Sequence, residues 1–185
     1  MNLSSVTIEY LDTFHSILDE MIRDMTTAPL TDSISHNFIV QMIPHHRAAI
    51  EMSQNILRFT TCIPLENIAR GIIAEQTKSI EDMCRIKPGC SAYFNSPEDV
   101  RRYQCRVDQI MQTMFTEMGS ALSTNQINVN FMREMIPHHE GAIRLSKTTL
   151  KYSICPELKP ILRAIISSQE KGVVKMQRLL CQTRC

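Results

Sequence analysis

The stretch FIVQMIPHHRAAIEM, Phe38 to Met52, decides how this chain is read. Phe38, Met42, His45, Ala49, Met52 and then Ile56 follow one another at spacings of three and four, which is the repeat of one helix face. Ile39, Ile43, His46, Ile50 and Leu57 form a second apolar stripe beside the first. Neighbouring residues point about 100° apart around a helix. Both directions are apolar here, so both histidines are predicted on the broad buried side. Pro44 sits inside that helix, lacks an amide donor and crowds the carbonyl of Val40. Two outcomes stay open: a kink that opens the helix beside the histidines, or a bend that wraps the core.

The five letters MIPHH return at Met135 to His139, and a shift of 93 residues aligns the two halves without a gap. Tyr10 falls on Tyr103, Phe38 on Phe131, Cys62 on Cys155, Gln76 on Gln169 and Met83 on Met176. Repetition at this period predicts two copies of one helical unit about a pseudo-two-fold axis. Each half reads as three helices: roughly 6–26, 34–59 and 65–86, then from Pro97 onward, 127–152 and 157–181. No segment has the alternation of a strand. The expected fold is all-α, about six helices in a single domain, with repeats near 6–86 and 99–181 joined by a linker near 87–96. Ser96 and Pro97, followed by Glu98 and Asp99, are a helix start: a capping hydroxyl, a first-turn proline and two acids at the positive end of the helix dipole.

A buried imidazole needs partners for its ring nitrogens, because an unsatisfied buried polar group costs roughly 1–3 kcal/mol. The third helix of each half offers one. Its apolar stripe is interrupted at Gln76 and, in the other half, at Gln169. Counting from each hairpin centre at a rise of about 1.5 Å per residue brings Gln76 level with His45 and His46. A similar count places His15 in that layer, with Asp108 as its counterpart. Four of the six histidines thus stand in two identical pairs at buried positions, while the surface around them differs at Arg47/Glu140 and Glu51/Arg144.

Methionine is the other repeated element. Of twelve, eight are matched pairs, among them Met42 and Met135, which precede their histidines by three and four residues. Thioether with imidazole is a soft-to-borderline ligand set suited to Cu(I). The expectation is a copper ion, or another transition metal, on His45, His46, His138 and His139, with Met42 and Met135 auxiliary. Gln76 and Gln169 would orient the imidazoles. The alternative is a structural or protein-interaction bundle whose buried His/Gln layer fixes packing register and holds no metal. A di-iron site would want Glu-x-x-His on two helices, and catalytic zinc a His-Glu-x-x-His; neither is present. With no nucleophile elbow, phosphate loop or dinucleotide fingerprint either, a non-enzymatic role is expected.

Lys plus Arg number 20 against 19 Asp plus Glu, with no basic run, so nucleic acid is not an expected partner. No apolar run reaches the roughly 18 residues of a membrane span. The first 25 residues read as an amphipathic helix without a signal-peptide pattern, which predicts a cytoplasmic chain. Nothing in the pattern excludes a homo-oligomer. Seven cysteines, none in a Cys-x-x-Cys knuckle, are expected as free thiols in that compartment, with soft-metal ligation or redox pairing as the alternative; Cys181 and Cys185 stand four apart.

These motifs resemble the domain-of-unknown-function family 305. Its pattern is a Phe seven residues before a His pair, then a Gln and a Met seven apart on the next helix. Here that is Phe38, His45, His46, Gln76 and Met83, and again Phe131, His138, His139, Gln169 and Met176. The resemblance runs over about 35–181. It implies a ferritin-like four-helix bundle from the second and third helices of both halves, and copper binding through Met and His as in some relatives, many of which are exported. The chain departs from the family pattern where an Asp is replaced by Ser35 and Asn128. It departs again where a Glu three residues after the Gln is replaced by Ser79 and Gly172.

Overall fold

Serine hydroxyls start three of the six helices found among residues 2–182, which the computed structural model describes. Cys185 lies outside those residues. Helix α1 (Ser5–Thr26) is capped by Ser4, whose Oγ accepts from the Thr7 amide at 3.2 Å. Helix α2 (Ile34–Leu57) is capped by Ser33, which accepts from the His36 amide. Helix α4 (Pro97–Gly119) begins at Ser96 and Pro97 as the sequence predicts. Helices α3 (Ile63–Ser91), α5 (Ile127–Thr149) and α6 (Leu158–Cys181) complete the set.

Pro44 and Pro137 lie within continuous helices, so neither ends its element. Helix α3 runs on to Ser91 through Pro88, so the helix expected to stop at Ile86 is longer and the connection between the halves is only 92–96. Tertiary bonds explain the extension. The Ser33 hydroxyl donates to the Cys90 carbonyl at 2.9 Å, and Ser91 Oγ meets His36 Nδ1 at 2.8 Å. These anchors offset the amide bond that Pro88 removes.

Packing follows the apolar stripes. Helices α2, α3, α6 and α5 form a closed ring of four, each touching the next, while α1 lies outside against α2 and α4 outside against α5. This is the bundle that the resemblance implies. Phe38, Ile39, Met42, Ala49, Met52 and Ile56 are buried along α2, and Phe131, Met132, Met135, Ala142 and Leu145 along α5. Loop contacts recur at positions 93 apart. Asn37 accepts from the Thr31 amide and donates to its carbonyl, and Asn130 does the same with Thr124. A β-carbon on Gly141 would lie 2.1 Å from Met114 Sδ of α4, so a side chain there would force Met114 to shift.

The outer helices are also tied by polar bonds. Tyr10 of α1 donates to Glu134 of α5 at 2.6 Å in a buried setting. Burial raises the Glu134 carboxyl to about 7, against the lowering effect of the Tyr10 bond.

Cys90 and Cys155 form a disulfide that joins the end of α3 to the loop before α6. The expectation of free thiols therefore fails for these two and for Cys62, which is also disulfide-bonded, while Cys84, Cys105 and Cys181 are free and exposed. A disulfide persists where thiols are not continuously reduced. Spacing along the chain could not reveal this pair, because its members are 65 residues apart and meet only in three dimensions. Closing a loop of that length stabilises by roughly 4 kcal/mol in a chain-entropy treatment. The Cys90→Ala/Cys155→Ala variant is expected to lose about 2–4 kcal/mol of unfolding free energy in urea, with helix content unchanged.

Candidate metal centre

His45 and His138 meet at the contact between α2 and α5. Their rings stack with centroids 3.7 Å apart, and Ala49 and Ala142, one turn further on, are wholly buried. His45 Nε2 lies 3.2 Å from the backbone carbonyl of His138, and His138 Nε2 lies 3.1 Å from that of His45. A carbonyl can only accept, so in each ring Nε2 carries the hydrogen. The tautomer is thereby fixed, and each Nδ1 is left with a bare lone pair. Neither Nδ1 has a hydrogen-bond partner, and both are buried.

His46 and His139 flank this pair, their ring centres 5.8 Å from His45 and 5.9 Å from His138 respectively. His46 Nε2 bonds Ser79 Oγ of α3 at 3.1 Å. The Nδ1 atoms of His46 and His139 are also buried and unpartnered. Four imidazole nitrogens thus stand in an apolar interior with nothing bonded to them. Met42 and Met135, one turn earlier, are buried as well.

Burial pushes all four imidazoles down, which keeps them neutral. Burial, then His138, brings His46 to about 3. Burial brings His138 to about 4, partly opposed by its bond to the His45 carbonyl. For His45 and His139 burial again comes first, with the neighbouring imidazoles adding to it. Neutral imidazole is the form that ligates a metal ion.

The glutamines do not do what the sequence predicts. Neither Gln76 nor Gln169 bonds an imidazole, and both Oε1 atoms are unpartnered. The ring hydrogens of His45 and His138 go instead to backbone carbonyls across the α2–α5 contact, where sequence alone names no acceptor, and His46 bonds Ser79. Gln76 and Gln169 both line a cavity of about 180 Å³ between α3 and α6, which His46 and Ser79 also line. His15 and Asp108 are exposed and outside the layer; counting depth along a helix ignores the direction a side chain points. Ser79 is the contributor that pattern reading missed, although its departure from the family pattern marks the position.

The imidazoles do not gather into one closed cluster. Among the described residues, Cys90, Cys155 and Glu157 are the one group of three or more His, Cys, Asp or Glu side chains with donor atoms all within 4.8 Å. Its two cysteines are already joined to each other. The histidines therefore present two pairs, one on α2 and one on α5, touching through His45 and His138.

The family model "Domain of unknown function (DUF305)" matches residues 15–87 and 35–180. The chain belongs to this family. Among solved structures, a DUF305 fragment from Deinococcus radiodurans is 21% identical over 83% of this chain and 99% of its own, with a TM-score of 0.60. CopM in a silver-bound form is 22% identical over 84% of this chain and 100% of its own, with a TM-score of 0.62. CopM in a Cu(II)-bound form gives the same identity and TM-score over 80% and 96%. These likenesses establish the shared helical fold. No curated protein matches the chain significantly. No helix among the described residues is long and apolar enough to cross a membrane.

Protonation sets a testable pH dependence. An unfolded imidazole takes its proton near pH 6.5, whereas folded His138 resists to about 4 and folded His46 to about 3. Between those limits the unfolded state binds more protons, so stability present above about pH 6.5 is lost as pH falls. Glu134, raised to about 7, and Glu51, raised by burial and by Glu20, act in the opposite direction but are two groups against four. The urea midpoint of the metal-free protein is expected to drop as pH is lowered from about 7 toward 4. The His46→Gln/His138→Gln variant is expected to flatten that profile.

Proposed function

We propose that this protein binds a soft transition metal ion, copper in preference to others, through His45, His46, His138 and His139, with Met42 and Met135 as auxiliary thioether donors. The observation that carries this reading is the set of four buried Nδ1 atoms without partners. An unsatisfied buried polar atom is costly, and four at one level of a bundle call for a purpose. Two of the four are lone pairs by necessity, because their rings have already given their hydrogens to carbonyls. Each half then offers two imidazoles and one thioether, a set that favours Cu(I) over hard cations.

The CopM structures with silver and with Cu(II) support the same class of cargo for this fold. The carbonyl bonds and Ser79 take the place of the glutamines as the groups that orient ligand rings. Gln76 and Gln169 are lining of the cavity beside His46. The alternative, a polar layer that only fixes register, explains the two Nε2 bonds between α2 and α5 but gives the four Nδ1 atoms no role.

Elemental analysis separates the two. Protein with its exposed thiols alkylated, loaded with copper and desalted, is expected to retain the metal. A variant with glutamine at positions 45, 46, 138 and 139, shown to be helical by circular dichroism, is expected to lose it. Equal copper in both would refute the ligand assignment. Met42→Leu/Met135→Leu is expected to weaken Ag(I) binding more than Zn(II) binding, as thioether softness requires.

A further inference from the structure

The two histidine pairs are not held alike. At positions 93 apart, α3 carries Ser79 and α6 carries Gly172. Ser79 Oγ bonds His46 Nε2 at 3.1 Å and holds that ring in place. On the other side, a β-carbon built on Gly172 would lie 2.8 Å from His139 Cδ2 and 2.9 Å from its Nε2. The His139 ring thus fills the space a side chain at 172 would need. Three of the four imidazoles have a bonded Nε2. His139 has no bonding partner on either ring nitrogen among the described residues, so nothing sets its tautomer. The cavity between α3 and α6 reaches His46 and not His139.

We infer that the two pairs take metal in order and with unequal affinity, His45–His46 first and more tightly, because Ser79 positions His46 while no side chain positions His139. This rests on the reading that these histidines are metal ligands. Ser79 is a positioning residue: it fixes a ring that the metal touches, without touching the metal itself. Losing such an outer partner lowers metal affinity by about 10–100-fold, and that is the expected gap between the two binding steps.

Silver(I), titrated against a competing chelator into the full chain with its exposed thiols alkylated, reads both steps. Wild type is expected to show two, separated by about 10–100-fold. Ser79→Ala is expected to weaken the first step until the two merge, whereas Ser79→Thr, which keeps the hydroxyl, preserves the gap. Gly172→Ala is expected to displace the His139 ring and abolish the second step while sparing the first. A crystal of the unaltered protein given one equivalent of silver is expected to show it at His45–His46, which tests the order without any substitution. Two equal steps, an unchanged gap in Ser79→Ala, or silver first at His138–His139 would overturn the inference and leave the metal reading standing. No silver bound by the unaltered protein would bring down the metal reading and this inference with it.

Discussion

Two buried imidazoles, each donating its one ring hydrogen to the backbone carbonyl of the other's residue, are the constraint on which the rest of this structure depends. The bond is reciprocal, so it fixes the register of α2 against α5 at one point. It requires the helices to come close, which wholly buried Ala49 and Ala142 permit. It also decides the chemistry of the interior. A ring that donates at Nε2 is left with a lone pair at Nδ1, and burial keeps that ring neutral. A packing interaction has thereby left bare lone pairs in a buried interior.

The surrounding bundle protects that arrangement. Helices α3 and α6 close the ring of four, and the disulfide from Cys90 to Cys155 fastens the end of one to the start of the other. The outer helices cover the remaining faces of α2 and α5, with Tyr10 reaching Glu134 across the interior. Glu134 stands where the first half has Gln41, and that difference introduces a buried acid on one side only. Ser79 and Gly172 differ in the same manner. The shared spelling MIPHH thus sits in two unlike surroundings, and the unlikeness lies in residues that contact the histidines from other helices.

Much of this was legible in the sequence, and the reasons are physical. Helical periodicity reports burial directly, so the apolar stripes through Phe38, Met42 and His45 placed both histidines inside correctly. The Ser96-Pro97 start reports local hydrogen bonding, so that helix beginning could be read, whereas the Ser4 and Ser33 caps emerge only from the structure. Readings that needed a second helix fared worse. The glutamines match the imidazoles in depth, but His45 and His138 bond backbone carbonyls, which no sequence distinguishes. His15 is exposed, because a count of depth along a helix does not set the direction of its side chain. Helix α3 outran its expected end because contacts from Ser33 and His36, distant in sequence, hold its last turn. The Cys90–Cys155 pair likewise depends on a meeting of distant segments.

The central claim is that His45 and His138 hold their hydrogens on Nε2 and present bare Nδ1 lone pairs to a metal ion. Long-range ¹H–¹⁵N correlation of the imidazole nitrogens, recorded on metal-free protein and again after adding Ag(I), tests it most directly. The expected result is the Nε2–H tautomer for both residues before metal, with the Nδ1 resonances shifting strongly when silver is added. Nδ1–H tautomers in the metal-free protein, or Nδ1 resonances that ignore silver, would contradict it.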